Sequence, residues 1–162
     1  MQHKKNVLTA IAVLVLLALS AALLSQHVFD MQPCAWCVLQ RIIYLIILLV
    51  VLLGLLMPVA NHVALGLVTL MSATGAGVAI HQITIASKSL SCDRTLADRI
   101  ITGSGLDEVA PWLFGVYASC MDAAVDLFGI EYAVWSLMLF VALAIASAVT
   151  LVVNCRSRRN RG

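Results

Sequence analysis

Charge is scarce in this sequence: charged residues make up 11% of its 162 positions, against 62% hydrophobic ones. A water-soluble domain carries roughly twice that share of charge, so lipid rather than water is the expected surrounding for most of the chain. The formal net charge of +2 excludes little, but its distribution does more. Acidic residues are missing from both ends, all of them falling between Asp30 and Glu131, whereas Lys4 and Lys5 lie at one end and Arg156, Arg158, Arg159 and Arg161 at the other. No aromatic residue interleaves that basic tail, which argues against a nucleic-acid patch and for an anchor at the membrane surface. Nothing resembles a nucleotide-binding loop, Gly103-Ser104-Gly105 being too short. Internal repeats, low-complexity tracts and a second domain are also lacking, so a single membrane domain over residues 1–162 is expected.

What is abundant is long apolar runs. They cover about 7–25, 38–57, 63–85 and 132–153, each roughly 28 to 35 Å as a helix, enough to cross a hydrocarbon layer ~30 Å thick. The first run is longer than the apolar core of a secretory signal and no small-residue cleavage site follows Leu24, so a retained helix is expected. An all-α bundle of four transmembrane helices follows. Lysine and arginine near the span ends place both termini in the cytoplasm and export the loops 26–36 and 86–131. Pro58-Val59-Ala60-Asn61 is a turn of hairpin length, and Trp36, Trp112 and Trp135 fall near the exported interface, where indole rings favour the boundary. Small residues Ser72, Ala73, Ala76 and Gly77 suit close helix approach in the third span. Thr102-Gly-Ser-Gly105 reads as a flexible break. Pro111-Trp-Leu-Phe-Gly-Val-Tyr117 reads as a short interfacial segment that keeps Cys120 near the bilayer.

Of five cysteines, Cys34, Cys37, Cys92 and Cys120 lie on the expected exported side, where disulfides persist, and Cys155 is alone on the other. Four cysteines allow three pairings; the close C-x-x-C favours 34 with 37 and leaves 92 with 120. A bridge from Cys92 to Cys120 would close a loop of about 29 residues and stabilise by roughly 3 to 4 kcal/mol on the chain-entropy account, so a structural role suits it. A bridge across two residues at the start of a helix removes little entropy. There the positive helix end and unpaired N–H groups favour a reactive thiolate instead. A four-cysteine zinc site would ask for two close pairs, and the second pair here is far apart, so no metal is expected.

Arg41 lies four residues after Cys37, on the same helix face and one turn deeper. A charge inside a span costs up to about 2.5 to 3.5 kcal/mol at the centre. Either it snorkels toward headgroups, or it stabilises negative charge on Cys37 and on an electron acceptor docked beside it.

The four-span layout, Cys34-Ala-Trp-Cys37-Val-Leu-Gln-Arg41, the later Cys92 and Cys120, and Asp126-Leu-Phe-Gly-Ile-Glu-Tyr-Ala-Val-Trp135 together resemble the bacterial disulfide bond formation protein B (DsbB) family over essentially the whole chain. The resemblance implies an inner-membrane oxidoreductase that reoxidises a periplasmic thioredoxin-like partner of the DsbA type and delivers the electrons to ubiquinone or menaquinone. It implies redox-active disulfides Cys34–Cys37 and Cys92–Cys120. Cys92 would be attacked by the partner, Cys120 would be its bridge mate, Cys34 would exchange with that pair, and Cys37 would face the quinone. Arg41 matches the family's quinone-assisting arginine and His81 matches a histidine near the quinone. One local departure is Gln40, where the family pattern has an acid before the arginine. The contrasting expectation is a structural or chaperone-like membrane protein braced by two inert bridges.

Overall fold

The computed structural model describes residues 2–57, 60–88, 95–127 and 129–159. Cys92 lies outside the described residues, as do Pro58 and Val59 of the expected turn and Arg161 of the basic tail. Four long helices dominate: α1 (Gln2–Val28), α2 (Ala35–Leu56), α3 (Asn61–Thr84) and α7 (Tyr132–Arg159). All four are long and apolar enough to cross a membrane. α1 overruns its hydrophobic stretch at both ends, α7 at its C-terminal end and α2 and α3 at their N-terminal ends, because a helix continues through polar flanks until a residue breaks its hydrogen bonding. Between α3 and α7 come a 3-10 turn at Ala86–Lys88, three short helices α4 (Leu96–Ser104), α5 (Leu106–Val109) and α6 (Pro111–Phe114), and a two-stranded antiparallel ladder of β1 (Asp126–Leu127) and β2 (Ile130–Glu131).

The bundle core is built by one stripe from each long helix. Leu8, Ile11 and Val15 of α1 meet Ile47 and Val51 of α2, Leu65 and Val68 of α3, and Phe140 and Leu143 of α7. Large apolar side chains such as Leu17, Leu49, Leu70 and Ile145 are exposed on the outside, which suits a lipid-facing surface. Packing between α3 and α7 is the most extensive contact in the fold and depends on Gly75. A Cβ there would run into the Phe140 ring, which stacks flat on Tyr44 with centroids 4.2 Å apart. Thr69 also donates to Ser147 across the same interface at 2.8 Å. The buried small residues of α3 are Ser72, Gly75 and Ala79, and Ala76 packs against the core beside them, so of the expected Ser72, Ala73, Ala76 and Gly77 only Ser72 and Ala76 fall on the packing face. Ala73 and Gly77 are exposed.

The expected break at Thr102-Gly-Ser-Gly105 is narrower than its composition suggests. Thr95 and Asp98 form a capping box that starts α4, Thr102 Oγ1 donates back to the Asp98 carbonyl at 2.8 Å, and the helix runs through Ser104. Only Gly105, with φ +68°, turns the chain in the left-handed region. This loop folds down on the start of α2. Ala97 and Ile101 of α4 pack with Cys34, Ala35, Trp36 and Val38 in a second apolar cluster. The loop is also stitched by backbone: Tyr117 N–H and Ala118 N–H both donate to the Pro33 carbonyl, at 3.1 and 3.3 Å.

Candidate functional site

Pro33 and Cys34 set the geometry of the site. Cys34 is the N-cap of α2, extended at φ −86° and ψ 169°, and its carbonyl accepts from Val38 N–H at 3.0 Å. Cys37 then falls one turn in, with its sulfur 3.1 Å from the Cys34 sulfur, a hydrogen-bonding distance. Cys34 has 0% of its surface exposed, beneath α4 and the loop. The loop brings Cys120 against Cys34, and the two thiols hydrogen-bond. That contact, followed by the contact with Cys37 and by burial, raises the Cys34 thiol far above the ordinary thiol range. The same hydrogen bond lowers Cys120, with burial opposing it. Of the cysteines expected to act, the fold thus gathers Cys34, Cys37 and Cys120 at one end of the bundle. Cys155, near the C-terminal end of α7, is exposed.

Arg41 is buried, with 6% of its surface exposed, and it turns inward rather than toward the surface. It donates from Nη1 to Gln26 Oε1 at 2.5 Å and to the Leu113 carbonyl at 3.2 Å, and from Nη2 to the Ala22 carbonyl at 3.3 Å. All three acceptors are neutral, so among the described residues the charge has no carboxylate bonded to it. Gln26 in turn donates to the Trp112 carbonyl at 3.4 Å. The short helix α6 therefore contacts the membrane helices through its carbonyl oxygens, which sequence patterns of side chains do not reveal.

Arg41 and Cys37 share the wall of a cavity of about 350 Å³ between α1, α2, α3 and α7. Ala18, Ala21 and Ala22 keep the α1 side open, Leu127, Trp135 and Leu139 add apolar surface, and Gln40, Tyr44, Gln82, Tyr132 and Ser136 add polar groups. Tyr44 Oη lies 3.0 Å from Ser136 Oγ and 3.2 Å from the Ser136 carbonyl. His81 does not line this cavity. It stacks on Trp36, with ring centroids 4.4 Å apart, and its Nδ1 has no hydrogen-bond partner among the described residues. Gln26 and Gln82 were not among the expected site residues. The signal that could have found them is an uncharged amide in or beside a long apolar run, where it needs a partner.

Four apolar spans around a cavity, with Cys37 on its wall and Cys34 buried beside it, define a multi-pass helical membrane protein. Residues 4–150 match the family described as Disulfide bond formation protein DsbB. Disulfide bond formation protein B of Herminiimonas arsenicoxydans is 31% identical over 147 residues, covering 90% of this chain and 93% of that protein. Disulfide bond formation protein B 1 of Pseudomonas syringae pv. syringae (strain B728a) is 30% identical over 159 residues, covering 96% and 94%. Disulfide bond formation protein B of Burkholderia pseudomallei (strain K96243) is 26% identical over 155 residues, covering 94% and 92%. The chain belongs to the DsbB family of membrane disulfide bond formation proteins. A thiol–disulfide oxidoreductase role comes with that membership.

Proposed function

We propose that the chain reoxidises a periplasmic, thioredoxin-like thiol oxidase of the DsbA type and passes the electrons to ubiquinone or menaquinone. It would do so in the bacterial inner membrane, as one domain of residues 1–162 with both termini cytoplasmic and residues 26–36 and 86–131 periplasmic. The observation that carries the reading is the position of Cys37 and Arg41 on the cavity wall, beside a Cys34 that solvent cannot reach. An external thiol cannot attack Cys34 directly, so electrons must arrive through another sulfur, and Cys120 lies against it.

In this scheme the partner's thiolate attacks Cys92, forming a mixed disulfide and releasing Cys120 as a thiolate. Cys120 attacks Cys34: a Cys34–Cys120 bond forms, the Cys34–Cys37 bond breaks, and Cys37 keeps the electron pair. Cys120 leaves the Cys92–Cys120 bond already as a thiolate, and the thiolate is the nucleophile. The partner's second thiolate then displaces Cys92, which attacks Cys120, restores the Cys92–Cys120 bond and frees Cys34. The partner's two thiols have become a disulfide, and Cys34 with Cys37 holds the two electrons.

A quinone bound in the cavity would accept those two electrons and two protons. The residues present fit such a group. The cavity volume is at the lower end of the ~300 to 1,000 Å³ usual for small-molecule sites, and its wall is mostly apolar. Arg41 would offer its remaining N–H donors to a ring carbonyl, and the alanines of α1 would leave room for a flat ring. His81 stands beside the site, one residue before Gln82, without lining it.

The test is turnover by purified protein supplied with a reduced partner and quinone. Cys37→Ser should abolish quinone reduction while a partner lacking its resolving cysteine is still trapped on Cys92. Inert wild-type protein, or full turnover by the variant, would leave the bridges as structural braces.

A further inference from the structure

Gln40 and Gln82 are buried, at 5% and 3% exposure, where an amide without partners is costly. Their hydrogen bonds run in one direction. Gln40 Nε2 donates to Gln82 Oε1 at 2.6 Å, and Gln82 Nε2 donates to Cys37 Sγ at 3.2 Å. Because Gln40 presents a donor, it occupies the carbonyl side of the Gln82 amide and leaves the NH2 side facing the sulfur. Both amides also line the cavity that Cys37 and Arg41 share.

We propose that Gln82 is a catalytic hydrogen-bond donor that stabilises the thiolate of Cys37, and that Gln40 is a positioning residue that holds the Gln82 amide in that sense. The inference rests on the relay above, in which Cys37 leaves with the electron pair when the Cys34–Cys37 bond opens. Charge then develops on an atom inside a helix bundle, away from bulk water. A donor already aimed at that atom stabilises it without reorganising. Among the described residues, the ionisable groups facing Cys37 are Cys34 at the N-cap of α2, Arg41 one turn further along α2 and Cys120 from the loop, with Tyr44 of α2 and Tyr132 of α7 on the same cavity wall. Cys34 and Cys120 are themselves occupied with sulfur exchange. Arg41 acts through its field, its hydrogen bonds going to Gln26, Leu113 and Ala22. From α3 it is Gln82 that reaches the sulfur with an N–H.

The arrangement can be read without turnover. In the full-length protein in quinone-free detergent, with Cys34, Cys92, Cys120 and Cys155 replaced by serine, Cys37 is the one thiol. Its alkylation by iodoacetamide follows the thiolate fraction. Gln82→Met should slow alkylation about tenfold near pH ~7, the effect of losing one hydrogen bond to a charged group. Toward pH ~10 the difference should narrow, because a donor's effect on the thiolate fraction fades as ionisation becomes more complete. Gln40→Met keeps Gln82 but frees its amide to rotate, and should give a smaller slowing with the same pH dependence. Equal rates near neutral pH would overturn the proposal. So would a slowing of the same size at both pH values, which marks altered access rather than a lost donor. If Gln82→Met does not fold in micelles, Gln40→Met decides by the same two criteria. Alkylation needs neither partner nor quinone, so its outcome is separate from the turnover assay that decides the relay.

Discussion

Replacing Arg41 with lysine keeps the charge and removes the planar fork, which makes it the most discriminating perturbation of the cavity. A guanidinium has five N–H donors. Three are committed to Gln26 Oε1, the Leu113 carbonyl and the Ala22 carbonyl, which leaves two for a ligand. An ammonium has three donors in all. Satisfying the same protein acceptors would use every one, so Arg41→Lys should retain the fold and lose its hold on the ligand carbonyl. Loss of one charge-assisted hydrogen bond is worth about 1.5 to 3 kcal/mol. That corresponds to a fall of about tenfold to 150-fold in kcat/KM for quinone. The assay varies quinone at saturating reduced partner, and separately follows trapping of a partner on Cys92. Unchanged kcat/KM for quinone would refute the role of the fork. An equal loss in trapping would show that Arg41 acts by holding α6 in place rather than by meeting a ligand.

Two further outcomes follow from the thiols and the core. The Cys120 thiol is lowered chiefly by the hydrogen bond from Cys34, so its thiolate should persist as pH falls below the usual thiol range. Labelling of Cys120 near pH ~7 should therefore slow in Cys34→Ala, by peptide mass spectrometry, and a rate that does not change would refute the contact. Gly75→Ala places a Cβ 2.6 Å from two carbons of the Phe140 ring, Cδ1 and Cζ. The overpacking should cost about 1 to 3 kcal/mol and lower the thermal midpoint in detergent, with Phe140→Leu restoring part of it. An unchanged midpoint would mean that the two helices separate freely at this point.

Much of this architecture is legible in the chain because lipid leaves few choices: apolar runs of spanning length must be helices, and scarce charge marks their ends. The depth of Arg41 could be read from its four-residue offset after Cys37. Its partners could not, since Gln26 comes from another helix and Leu113 offers a backbone carbonyl from 72 positions away. The packing face of α3 departs from the expected one at Ala73 and Gly77 for a related reason. Small residues announce that a close approach exists, but the bulky Phe140 on α7 decides that Gly75 rather than Gly77 receives it. Composition also overstated the break at residues 102–105, because local capping by Thr95 and Asp98 outweighs the one glycine, Gly103, inside a helix of nine residues, and Gly105 serves as its C-cap.

The stitch between the loop and Pro33 has an evolutionary side. Its acceptor is a main-chain carbonyl and its donors are the main-chain N–H groups of Tyr117 and Ala118. Every amino acid except proline supplies such a donor. The registry that sets Cys120 over Cys34 is therefore nearly blind to side-chain drift at 118, whereas at 117 the tyrosine hydroxyl also donates to the Pro111 carbonyl at 2.9 Å. Position 118 can diversify to suit different surroundings while the placement of Cys120 beside Cys34 is inherited unchanged, and selection there should purge proline and little else.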